Sequence, residues 1–204
     1  MEINNLDQSV EKEGEQLKRK RYPEDTKERE FEGFFKSSII EITNKGCTSL
    51  YDKYSKELIH HDSNKPTGVT FHIKNVWWNN NLYKLEIWFI EPKGRFEFVL
   101  PNYLRLSSIV AFVINYYDQK TLYKLKELVY LIKKEYERLP ILLAFNVDSK
   151  GELSLDNRDE IIEYAMKIGM NAYIEISVKS GQNIEELFKA LVQLCLKKLS
   201  GHSD

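Results

Sequence analysis

The residues with the clearest chemical potential lie between Ile39 and Tyr54. Ile39 and Ile40 lead into a polar stretch, Glu41 to Gly46, after which Thr48 and Ser49 are placed to cap a helix carrying Leu50 and Tyr54 on one face. A strand, a tight loop and a helix start are the setting of a phosphate-binding loop. Its pattern is G-x-x-x-x-G-K-[ST]: the glycines let backbone N–H groups reach the phosphates, the lysine neutralises their charge and the hydroxyl serves magnesium. The window here reads Glu41-Ile42-Thr43-Asn44-Lys45-Gly46-Cys47-Thr48. Gly46 and Thr48 fit the pattern, whereas Glu41 stands for the first glycine and Cys47 for the lysine. Both replacements oppose triphosphate binding, because unit charges about 4 Å apart interact by roughly 4 kcal/mol at an effective dielectric of about 20.

Other reactive side chains give weaker patterns. His60-His61 has no third ligand at metal-binding spacing, so no metal site is expected. Cys47 and Cys195 form neither a C-x-x-C motif nor a disulfide framework, as expected in a reducing cytosolic compartment. With 204 residues, a net charge of -1 and 42% hydrophobic residues, the chain fits one globular domain with polar extensions. That charge provides no field for nucleic acid or an anionic membrane. The longest apolar run, Ile109 to Ile114, falls far short of the roughly 20 residues that cross a bilayer.

Residues 1–32 are rich in Glu, Lys, Gln and Arg with few aliphatic residues, which predicts a flexible arm, although Leu6, Val10 and Leu17 recur at near-helical intervals. Residues 33–200 carry the folded domain, and 201–204 a short tail. Val69 to Trp78 and Leu82 to Ile90 read as a hairpin turning at Asn79-Asn80-Asn81. In its second strand Tyr83, Leu85, Ile87 and Phe89 share one face, which leaves Trp88 on the polar face with Lys84 and Glu86. Trp77 and Trp78 point to opposite faces. Ser107 to Tyr116 is apolar without alternation, like a strand covered on both sides. Helix Leu122–Leu139, strand Pro140–Val147, helix Asp159–Ile168, strand Ala172–Ile176 and helix Ile184–Leu199 follow. This alternation predicts an α/β sheet layered between helices, mostly parallel, with one antiparallel edge hairpin.

Several local runs carry a family resemblance. Leu85-Glu86-Ile87-Trp88, Arg95-Phe96 and Pro101-Asn102-Tyr103-Leu104-Arg105 resemble the Rab sequence through the second switch. Leu142 to Asp148 resembles the strand ending in the guanine-recognition N-K-x-D motif, Ile176-Ser177-Val178-Lys179 the S-A-K loop, and Gly68-Val69-Thr70-Phe71 the strand after the first switch. From about Phe35 to Leu199 the chain therefore resembles Rab proteins of the Ras superfamily of small GTPases. The resemblance implies a three-layer P-loop NTPase-like fold. It also implies that Gly46, Thr48, Asp148, Ser177 and Lys179 are residual nucleotide-site positions. The motif's Asn and Lys fall on Phe145 and Asn146. The magnesium- and water-handling switch motif falls on Phe89-Ile90-Glu91-Pro92, and Pro92 has no N–H to offer a γ-phosphate. A shifted register makes Glu91-Pro92-Lys93-Gly94 its equivalent. The effector-docking aromatic triad of Rab proteins falls on Phe71, Trp88 and Tyr103.

Together these departures lead to the expectation of a pseudo-GTPase: not an enzyme, without catalytic residues, and serving as an interaction module in a multi-subunit assembly of protein partners. The alternative is a divergent, working GTP-binding switch. No cofactor is expected under the first reading, and GTP or GDP with magnesium under the second. Neither nucleic acid nor a membrane anchor is expected, since Gly201-His202-Ser203-Asp204 lacks prenylated cysteines. The expected location is cytoplasmic, with a cytoskeletal or ciliary assembly as one possibility.

Overall fold

Strand β1, Gly33–Ile42, sits third in a six-stranded sheet and is paired in parallel on both sides. It can hold that position because its side chains are apolar toward both faces: Ile39 and Ile40 are each fully buried, one on either side. The computed structural model describes residues 30–42, 49–51, 53, 69–90, 96–115, 118–148 and 158–201, with the backbone alone at 69, 70 and 96–99. The chain divides into two units, Met1–Glu30 and Phe31–Asp204, and only Glu30 of the first is described.

Strands β2 (Val69–Trp78) and β3 (Asn81–Ile90) form the antiparallel edge hairpin read from the sequence. Its turn is Asn79-Asn80, with φ of 48° and 65°, and Asn81 already pairs with Trp78. Two positive-φ residues in a two-residue loop are what a type I′ turn requires, and asparagine tolerates that region better than most residues. β4 (Ile109–Ile114), β5 (Ile141–Asn146) and β6 (Ala172–Ile176) complete the order β2-β3-β1-β4-β5-β6. All pairings except β2–β3 are parallel.

Helices cover both faces. On one, α4 (Ile184–Ser200) packs Leu187, Phe188, Leu191 and Val192 against Leu85, Ile87, Phe89 and Val113. On the other, α1 (Phe96–Leu104), α2 (Gln119–Glu135) and α3 (Arg158–Lys167) bring Leu100, Leu125, Val129 and Ile161 against Ile40, Phe112 and Leu143. Asp118 caps α2 by accepting the Thr121 amide at 2.7 Å, and Lys133 and Lys134 sit in the last turn, where the helix dipole favours cations. Helix α1 was not expected. It is a nine-residue helix with Pro101 inside it, and the Pro101 carbonyl accepts the Tyr136 hydroxyl at 2.9 Å. A proline removes one helical hydrogen bond, so such a short segment depends on tertiary contacts.

The hairpin is two-faced. His72 and Val76 of β2 are buried, while Phe71, Ile73 and Trp77 are exposed; Trp78 packs against the α4-side core, opposite Trp77. The His72 ring lies 5.7 Å from Phe89 and 6.5 Å from Tyr51, and its Nε2 has no hydrogen-bond partner. Burial in this aromatic setting lowers its pKa below the ordinary 6.5. Cys195 is a buried thiol on α4, its pKa pushed up to about 12 by burial despite Lys198 nearby. It therefore stays protonated and unreactive in the folded state.

Two outcomes follow from this packing. Ile39→Ala leaves a cavity in a fully buried site and should cost roughly 2–5 kcal/mol in urea denaturation. Because the folded state resists protonating His72, the unfolded chain binds the extra proton first. Stability should fall as pH drops from about 6.5 toward the lowered folded pKa. Thermal melts between pH 7.5 and 5 should show a shallower decline in His72→Phe than in the parent chain; an unchanged slope would count against this account.

Candidate nucleotide site

All parallel strands point their C-terminal ends the same way, and a cleft beyond those ends is where an α/β sheet binds its ligand. Three of the described candidates gather there. Asp148 follows β5, and Ser177 and Lys179 follow β6, which lies next to β5 in the sheet. The Asp148 carboxylate accepts the Ser177 hydroxyl at 2.5 Å on Oδ1 and the Lys179 amide at 2.5 Å on Oδ2. Ser180 donates through both its amide and its hydroxyl to Ser177 Oγ, at 3.1 and 2.7 Å. This loop is therefore a shaped turn built on one carboxylate. The Lys179 side chain is exposed and the Ser177 residue buried.

Two residues contribute more than their sequence positions suggested. Asn146, standing where the guanine motif has lysine, is buried, and its Oδ1 accepts the Val178 amide at 3.2 Å and the Asp148 amide at 3.3 Å. Lys53 donates its Nζ to the Val178 carbonyl at 2.7 Å. Both backbone groups of fully buried Val178 are thus held by side chains from other segments. A buried polar group left without such a partner costs about 1–3 kcal/mol, which is why this loop keeps its shape. The available signal for Asn146 was a polar residue closing an otherwise apolar strand. Phe145, at the asparagine position of the motif, turns the other way into the core beneath α3.

At the phosphate end, Gly46, Cys47 and Thr48 lie outside the described residues, as do Glu91 to Gly94 and His60-His61. What is described is the margin. Glu41 Oε1 accepts the Leu50 amide at 2.6 Å, and Oε2 accepts the Ser49 hydroxyl. Leu50, Tyr51 and Lys53 are helical, with the Lys53 amide bonded to the Ser49 carbonyl at 3.2 Å. Phe89 is buried in the α4-side core, its ring 5.7 Å from Tyr51. It supplies apolar packing where the switch motif has an acid. Among the described residues no group of three His, Cys, Asp or Glu side chains comes together.

The aromatic triad assembles from three separate elements. Phe71 of β2 stacks on Trp88 of β3 with centroids 6.1 Å apart, and Trp88 meets Tyr103 of α1 at 6.5 Å. Phe71 is 62% exposed. Beneath them lies Lys36 of β1, unnoticed in the sequence. Its Nζ sits 3.9 Å from the Trp88 ring centroid and donates to the Tyr103 carbonyl at 2.7 Å. Burial lowers the Lys36 pKa, with Glu86 pulling the other way. Trp88 Nε1 donates to Glu86 at 2.7 Å, so the ring is fixed at its edge and on one face.

Comparison with known proteins agrees with this geometry. The Ras family model matches residues 38–197. Human Ras-related protein Rab-31 is 28% identical over 157 residues, covering 76% of this chain and 80% of that protein. The putative Ras-related protein Rab-5B of Dictyostelium discoideum is 27% identical over 180 residues, covering 84% of this chain and 78% of its own length. Bovine Ras-related protein Rab-8B is 23% identical over 175 residues, covering 83% and 82% respectively. These matches overturn the expectation that the chain is not an enzyme. The small GTPases to which it is related hydrolyse GTP, and changes at single motif positions such as Glu41, Cys47 and Phe89 were too narrow a basis for setting that activity aside. A match over most of the domain, on a parallel sheet closed by one antiparallel hairpin, has a plain meaning: this chain belongs to the Ras family, among relatives that are Rab proteins.

Proposed function

We propose that this Rab-like member of the Ras family acts by docking protein partners on the surface formed by Phe71, Trp88 and Tyr103, and that it does so within a multi-subunit assembly. The observation that carries this reading is the stacked aromatic row across β2, β3 and α1, held by Lys36 and largely open at Phe71. Aromatic side chains contribute disproportionately to interfaces because they bury large areas with few rotors to immobilise. Here Trp88 is already ordered by Glu86 and Lys36, so a partner that covers it meets a preorganised surface. Ile73, 56% exposed, extends the apolar edge along β2. The working site in this reading is a surface whose aromatic members come from β2, β3 and α1.

Affinity capture with quantitative mass spectrometry tests this. Native lysate passed over the immobilised protein should yield a set of proteins that Phe71→Ala and Trp88→Ala each lose, while Tyr130→Ala on the exposed side of α2 keeps it. For any partner so identified, Phe71→Ala should weaken binding by about 2 kcal/mol, roughly thirtyfold. Recovery of the same proteins by all three variants, with folding confirmed by circular dichroism, would remove this surface from the function.

A further inference from the structure

The glutamate that stands at the first glycine of the phosphate-loop pattern is bonded to Ser49 and Leu50. Glu41 is the penultimate residue of β1, in register with Val113 of β4. It shares strand parity with Ile39, whose side chain lies in the core that also contains Leu50. From there its carboxylate takes the Ser49 hydroxyl and the Leu50 amide, eight and nine residues further along the chain. A phosphate loop returns from strand to helix at this junction and offers N–H groups there to an anion. In this chain an anion already accepts donors at the junction, and it is covalently part of the chain.

We infer that Glu41 is a tethered competitor for the phosphates of a guanine nucleotide, which must break its bonds to Ser49 and Leu50 before they can settle. A carboxylate and a phosphate ask for the same thing, N–H and O–H donors at short range, and two anions held close together repel. Nucleotide loading is then a displacement at the strand–helix junction, and Glu41 sets how tightly the nucleotide is held. The base end has its own bonds, Ser177 to Asp148 and the Val178 and Asp148 amides to Asn146. This inference depends on membership of the Ras family and is independent of the docking surface.

The experiment is a titration of methylanthraniloyl-GDP with magnesium into the wild-type chain and three variants, followed by fluorescence. Glu41→Gln keeps the shape of the side chain and an oxygen for the Leu50 amide but loses the charge. Glu41→Gly restores the glycine, and Ser49→Ala keeps the charge but removes one of the bonds that hold it. Glu41→Gln and Glu41→Gly should bind about tenfold tighter or more, and Ser49→Ala tighter by a smaller factor. Thermal melting without nucleotide establishes that each variant is folded, and Glu41→Gln carries the test if the glycine variant is not. A Glu41→Gln affinity no tighter than wild type, no gain in Ser49→Ala, or no binding by any of the four proteins would overturn the inference.

Discussion

A strand paired in parallel on both sides has no free edge, and β1 holds that position between β3 and β4. The backbone groups of its buried stretch must be used by its neighbours, and its side chains must satisfy two cores at once. Ile39 and Ile40 do so by pointing to opposite faces, each fully buried. Ser38 manages its polarity by sharing a 2.7 Å hydrogen bond with Ser107. The same constraint decides where chemistry can occur. Parallel neighbours end together, so polar residues following β1, β5 and β6 emerge on one side of the sheet, and the cleft lies there.

Polarity inside the β1 neighbourhood takes two forms with different consequences. Lys36 is a cation set against an aromatic face, with its ammonium bonded to a backbone carbonyl of α1. It links three elements and sets the attitude of Trp88, so the aromatic row is rigid where a free indole would be mobile. His72, on the other side of the hairpin, has no such partner, and burial among Tyr51 and Phe89 lowers its pKa. The half-buried lysine organises a surface; the buried histidine makes the fold sensitive to acid.

The two ends of the cleft are held by protein groups, but differently. At the base end, Asp148 and Asn146 accept hydrogen bonds from the loop after β6, which shapes that loop. A carboxylate oxygen has lone pairs to spare. At the phosphate end, among the described residues, the Ser49 hydroxyl and the Leu50 amide donate to Glu41.

Layer order, the edge hairpin and most elements were legible in the sequence because burial on both sides leaves unbroken apolar runs such as Ile109 to Ile114, and half-burial leaves alternation, as in Tyr83 to Phe89. Trp88 could be placed on the polar face by counting alone. Helix α1 could not be read, since its short length and Pro101 argue against a helix and contacts with β1, the sheet and Tyr136 sustain it. Nor could the partners of Lys36, Lys53, Asn146 and Glu41, because each contact joins residues that only folding brings together. Local periodicity determined which residues face inward. Which polar groups meet, and so what Glu41 and Lys36 do, was decided by tertiary structure, because a hydrogen bond depends on separations in space that the order of residues along a chain does not specify.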